Sequence, residues 1–128
     1  MKTEKGKLEI QEGIVQQKSL QFAIRIAKFC NYLQSEKREF IVSKQVFRSG
    51  TSIGANIRES RNAQSKADFV SKLSIALKEA DETQYWLELL FGADYIDEKE
   101  YCSMNEDVKQ IIALLTSSIK TIKNNSGF

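Results

Sequence analysis

The side chains of this 128-residue chain that could do chemistry are charged rather than nucleophilic. Lys44, Arg48 and Arg58 fall within an arc of about 80° when placed on a helix, and Arg61 lies one turn beyond. Such an arc can track the phosphates of RNA or DNA, with an affinity that falls steeply with salt. An ordinary solvated helix face would look the same. No series of aromatics interleaves these charges, so readout of single-stranded bases by stacking is not supported. Glu59, Glu79, Asp81 and Glu82 are the carboxylate counterpart. An all-oxygen magnesium site is one use for them. The favoured use is structural: Ser52, Asn56, Glu59 and Glu82 as a polar cluster inside a helical bundle, fixing helix register at some cost in stability. The chain has no histidine. That removes the commonest general base, the Ser/His and Cys/His pairings and the usual transition-metal ligand. No catalytic residue, metal or cofactor is expected, and the chain reads as non-enzymatic. Cys30 and Cys102 stand alone rather than as a CxxC pair, and read as free thiols, buried or partly buried.

Helices must position these groups. The chain has no proline and little strand-type alternation. Val15, Ser19, Phe22, Ile26, Phe29 and Leu33 recur at intervals of four and three, predicting a first helix over Ile14 to Gln34. Residues 1–13 read as a flexible arm or a short lead-in. A second helix is expected over Ile41 to Arg61, with Val46, Gly50, Ile53 and Ile57 on its packing side and Gln45, Ser49, Ser52 and Asn56 as a polar stripe. Gly50 and Gly54 would each cost roughly 1 kcal/mol relative to Ala inside that helix. Close approach of a neighbouring helix, from this chain or from another subunit, is the expected compensation. Ser65 and Asp68 form a capping box of the shorter acidic kind. The third helix should run from there to about Gly92, with the seam Phe69, Leu73, Ala76, Ala80, Thr83, Leu87 and Leu90. A second stripe, Ile75, Glu79, Glu82 and Trp86, suggests another contact surface. Tyr85 and Trp86 are adjacent and so point to different sides; one could anchor a subunit interface, or both could be core. Asp97 is the expected N-cap of the last helix, whose seam is Tyr101, Met104, Val108, Ile112, Leu115, Ile119 and Ile122. Residues 124–127 should end it.

Four amphipathic helices with short connections imply one domain over residues 1–128, an all-α, antiparallel up-down-up-down four-helix bundle. No apolar run approaches the roughly 18 residues needed to span a bilayer, and the first residues lack the apolar core of a signal peptide. A cytoplasmic location is the resulting expectation. The net charge of +2 hides an asymmetry: residues 1–78 carry 15 Lys/Arg against 7 Asp/Glu, and residues 79–128 carry 4 against 10. Such a split can build a basic face for nucleic acid, or can pair one subunit's basic half with another's acidic half.

The run Ser52-Ile53-Gly54-Ala55-Asn56-Ile57-Arg58-Glu59, followed by Ser65, Asp68-Phe69, Leu73-Ser74-Ile75-Ala76, Glu82 and Tyr85-Trp86-Leu87, resembles the four-helix-bundle proteins named for the 23S rRNA intervening sequence. The resemblance covers roughly Leu20 to Ile122. Ser60 stands where the family often has a glycine, and Lys78-Glu79 where a glycine-serine pair is common. The resemblance implies an antiparallel bundle whose relatives include pentameric rings and whose biochemical role is generally unassigned. A more distant similarity, to the accessory variability determinant of diversity-generating retroelements, implies nucleic-acid and protein binding through a basic surface. The leading expectation is therefore a non-enzymatic homo-oligomer, pentameric by resemblance, acting as a nucleic-acid-associated scaffold through Lys44, Arg48, Arg58 and Arg61. The alternative is a protein-protein adaptor ring that docks a protein encoded nearby. No membrane partner is expected.

Overall fold

The computed structural model describes the backbone of residues 4–125 and the side chains of residues 13–124. Four helices, α1 (Glu4–Ser35), α2 (Val42–Ser60), α3 (Lys66–Gly92) and α4 (Glu98–Asn125), account for nearly all of it. Helix α1 begins ten residues ahead of the expected Ile14, so most of the expected arm continues the helix. The remainder of that arm, residues 1–3, and the end of the expected C-terminal stop, residues 126–127, lie outside the described residues.

Local chemistry sets the helix ends. The Ser65 side chain accepts from Asp68 N at 3.0 Å, and the Asp68 carboxylate accepts from Gln64 N at 3.2 Å. Glu100 N donates to Asp97 Oδ1 at 2.8 Å, so Asp97 caps α4. Helix α3 ends in a Schellman turn: Tyr95 N bonds Leu90 O, and Asp94 N bonds Phe91 O. The left-handed residue there is Asp94 (φ 65°), two positions beyond the glycine that the sequence suggested as the stop. An Asp tolerates that conformation better than most L-residues. Arg38 (φ 56°) turns the chain in the same way between α1 and α2.

Cross-helix contacts fix the topology. Gly54 lies against Ser19, Gly50 against Ile26, and Ser43 against Cys30, so α1 and α2 run in opposite directions. Arg48 meets Glu82 while Glu59 meets Lys72, which reverses α3 on α2. Gln84 bonds Asn105 and Phe91 stacks on Tyr101 (centroids 4.9 Å apart), reversing α4 on α3. Lys18 bonds Gln110 and Arg25 bonds Asp107, closing the antiparallel ring. Consecutive helices are neighbours, α4 returns to α1, and the diagonal pairs α1/α3 and α2/α4 face each other across the core.

The expected seams fill that core. Phe22, Ile26, Leu33, Val46, Ile53, Leu87, Leu90, Met104, Val108 and Leu115 are essentially inaccessible. Each large aliphatic or aromatic among them stabilises the fold by about 1.5–3 kcal/mol relative to an exposed position. In α4 the packing face is turned slightly from the expected seam, so Ile111 is fully buried and Ile112 only partly. Close packing explains the glycines of α2. A Cβ on Gly50 would sit 2.8 Å from Cγ1 of Ile26, and one on Gly54 would sit 3.4 Å from the carbonyl oxygen of Ser19. The neighbour that requires them is α1 of the same chain.

Candidate interaction surfaces

Outer faces of α2 and its neighbours carry the groups with chemical potential. Among the expected phosphate contacts, Arg48 is already engaged: Nη1 reaches Glu79 Oε2 at 3.2 Å, and Nη2 pairs with Glu82, both on α3. Lys44, Arg58 and Arg61 are exposed and form no ion pair. Lys44 and Arg58 are fourteen residues apart, about 21 Å along the helix axis. The basic arc is therefore two ends with a neutralised middle.

The four residues expected to form one polar cluster are not brought together as one. Ser52 Oγ donates to Arg48 O at 2.6 Å and Asn56 Nδ2 donates to Ser52 O at 2.9 Å, both within α2. Glu59 is exposed, its Oε2 3.8 Å from Lys72 Nζ, and Glu82 is taken by Arg48. Neither carboxylate lies inside the bundle. A buried polar contact between α2 and α3 is instead made by Ser49 with Thr83, whose hydroxyl oxygens are 2.9 Å apart. Each also lies against a carbonyl of its own helix, Val46 O at 3.5 Å and Glu79 O at 2.8 Å. Ser49 was visible in the polar stripe and Thr83 in the α3 seam; only their pairing was not.

Glu39 is a second buried polar site, a residue to which the sequence pattern assigned no role. Its side chain is 6 % exposed. Oε2 accepts from Ile41 N at 3.1 Å and Val42 N at 3.0 Å, and Oε1 accepts from Ser43 N at 2.7 Å. Burial pushes the Glu39 carboxyl up; the bonds from Val42, Ser43 and Ile41 outweigh it and hold the group below the usual carboxylate range. The signal that could have found it is an acidic residue just ahead of an uncapped helix start. Cys30 lies behind this cap and its thiol contacts Ser43 O at 3.3 Å. Burial, with the Glu39 charge added, pushes Cys30 up to about 12. Both cysteines are free thiols, but Cys102 is exposed, because it sits on the outer face of α4.

Among the described residues no group of three or more Cys, Asp or Glu could hold a metal ion, and no helix is long and apolar enough to cross a membrane. A concavity of about 720 Å³ at one end of the bundle is lined by both signs of charge, including Lys37, Lys99, Asp94 and Asp97. It holds no nucleophile set against a base.

A different surface stands out. Leu20 and Ile24 of α1 are each half exposed, as is Phe47 of α2. Leu20 and Phe47, with Ala23, Ala27, Thr51 and Ala55, edge two concavities of about 380 and 350 Å³ along the α1/α2 seam. Arg58 lies at one end of this groove and Lys44 at the other. Tyr85 on α3 is 57 % exposed, and its ring meets that of the partly buried Trp86 edge-on at 5.1 Å. Trp86 Nε1 is buried without a hydrogen-bond partner.

Comparison with known proteins places this architecture. The family model for 23S rRNA-intervening sequence proteins matches residues 11–117. A protein of unknown function from the S23 ribosomal protein family of Bacteroides thetaiotaomicron has a solved structure that superposes with a TM-score of 0.85. It is 55% identical, and the match covers 86% of this chain and 98% of that one. No curated protein matches the chain. The matched span takes in most of α1, α2 and α3 entirely, and most of α4, so the chain belongs to the 23S rRNA-intervening sequence protein family.

Proposed function

We propose that this protein is a non-enzymatic homo-oligomeric scaffold, with the five-membered ring implied by family resemblance as its expected form. The observation that carries this reading is the pair of half-exposed apolar side chains, Leu20 and Phe47, along the α1/α2 groove, with the half-exposed Ile24 one turn from Leu20 on α1. Contiguous apolar surface rimmed by charge marks a protein contact more often than a phosphate track. The absence of histidine from the sequence, and of a nucleophile set against a base among the described residues, supports a role without catalysis. Two unpaired thiols suit a reducing compartment, and the cytoplasm is the setting this reading assumes. Multi-angle light scattering at micromolar concentration tests it: an oligomer is expected, and a monomer would overturn it.

Nucleic-acid association is the second reading. Lys44, Arg58 and Arg61 lacking any carboxylate partner favour it, while the ion pairs of Arg48 weigh against it. It predicts a gel shift with RNA or DNA at low salt that replacing Arg58 and Arg61 with Glu removes without loss of helicity. No shift at low salt would end this reading. A partner pull-down that survives nuclease and high salt would instead favour a protein adaptor.

A further inference from the structure

We infer that the α1/α2 groove receives the Tyr85 face of α3 from a second copy of this chain, in a head-to-tail contact. This deepens the self-association reading above and rests on it. The ring order of the helices sets the geometry: α3 is diagonal to α1, so the groove and Tyr85 look out on different sides of the bundle. The two surfaces cannot be satisfied within one copy, and a two-fold contact that used either surface alone would set like against like. Joining one to the other makes a heterologous contact, which propagates into a closed ring or a filament.

The two surfaces complement each other in shape and charge. The groove sets Leu20, Ala23, Ala27 and Phe47 beside the polar Ser19, Thr51 and Asn31, and its open ends carry Lys44 and Arg58, neither of which forms an ion pair. Glu59, the one carboxylate that edges it, lies against Lys72. On α3, Asp81 and Glu88 flank Tyr85 at four residues before and three after, which puts all three on one helix face. Both carboxylates are exposed and neither forms an ion pair. They are seven residues apart, about 10.5 Å, and so fall inside the span of about 21 Å between the groove's cations. Trp86 braces the Tyr85 ring from the side, so the knob is held in place before contact. An aromatic already fixed in this way loses little conformational freedom on binding, and tyrosine is among the residues that most often anchor such interfaces.

The test uses the full chain and two exposed substitutions, Tyr85→Ser on the knob and Leu20→Glu in the groove. Sedimentation velocity at micromolar concentration should show a wild-type oligomer and two monomeric variants, with unchanged helicity by circular dichroism. Mixing the variants should then restore a species holding one copy of each, because one intact knob meets one intact groove. If either variant loses helicity, the pair Asp81→Lys and Glu88→Lys replaces it. That pair should weaken association at least about tenfold, and no weakening would overturn the contact. A monomeric wild type sinks both this contact and the self-association reading. An oligomer that neither variant disturbs, or a mixture that stays monomeric, sinks the contact alone. An oligomer that nuclease dissolves would give the groove to nucleic acid and overturn the proposal.

Discussion

Replacing Glu39 with alanine should cost about 2–3 kcal/mol of stability. The carboxylate takes three of the first N–H groups of α2, from Ile41, Val42 and Ser43. Hydrogen bonds to a charged group contribute roughly 1.5–3 kcal/mol each when the partner left behind is buried. Here the helix start borders solvent at Ile41, so the freed N–H groups of Ile41 and the half-buried Val42 recover water and each loss approaches a capping interaction of about 1 kcal/mol, while the N–H of the buried Ser43 does not. The interaction of the charge with the helix N-terminus adds about 0.3–1 kcal/mol, and partial overlap of these effects gives the total. Average unfolding entropy for a chain of this length then converts the loss into a fall in Tm of about 7–11 °C. Urea titration of wild type, Glu39→Ala and Glu39→Gln at pH 7 measures it, with Gln losing roughly half as much because one acceptor oxygen remains. The pH dependence follows from the direction of the shift. Glu39 titrates below the ordinary value of 4.5 in the folded chain. Its contribution is therefore complete above that ordinary value and is lost as pH falls through the lower folded one. The gap between wild type and Glu39→Gln should stay constant from pH 7 down to about 5 and narrow steadily as pH falls below the ordinary value of 4.5. An alanine variant within about 0.5 kcal/mol of wild type, or a gap that persists unchanged to pH 3, would refute the assignment.

Gly50→Ala should destabilise by about 1 kcal/mol, since overpacking of about 1–3 kcal/mol against the fully buried Ile26 exceeds the gain in helix propensity; a stabilised variant in thermal melts would contradict the close approach. A thiol reagent under native conditions should modify Cys102 quickly and Cys30 only on unfolding, and two fast thiols at pH 8 would contradict the buried, upshifted Cys30. Arg48→Gln should change stability by no more than about 1 kcal/mol, because its ion pairs are half exposed and screened by solvent. If polyanion binding is detected, Arg48→Gln should weaken it less than Arg58→Gln, as measured by filter binding.

Features made of one helix were legible in the sequence. The α1 seam from Val15 to Leu33 is buried throughout, and the caps at Ser65 and Asp97 form the expected bonds. Gly50 and Gly54 announced a close neighbour, but which helix it was required the packing. Features made between helices were not legible. Arg48 looked free because its carboxylates lie more than thirty residues away. Glu59 looked buried because it lies at the edge of the polar stripe of α2, and only the packing shows that edge open to solvent beside Lys72. Ser49 and Thr83 were separately placed near the core, yet their contact depends on the register of α2 against α3. Glu39 escaped notice because a glutamate in a connection ordinarily points to water, and only the turn that bonds its N–H to Leu33 O folds it inward.

The seam between α1 and α4 differs from the other three in kind. Those three join helices consecutive in the chain, so each forms at the small entropic cost of closing a short loop. Only the α1/α4 seam brings together residues some eighty or ninety positions apart, through Arg25 with Asp107 and Lys18 with Gln110. A bundle dominated by such local contacts folds quickly, and its remaining slow event is the docking of the last helix. The same seam is where the native molecule should first breathe. Amide exchange in α4 should then run ahead of that in α2, because α4 can swing away on its turn while the α1–α2–α3 sheaf stays assembled.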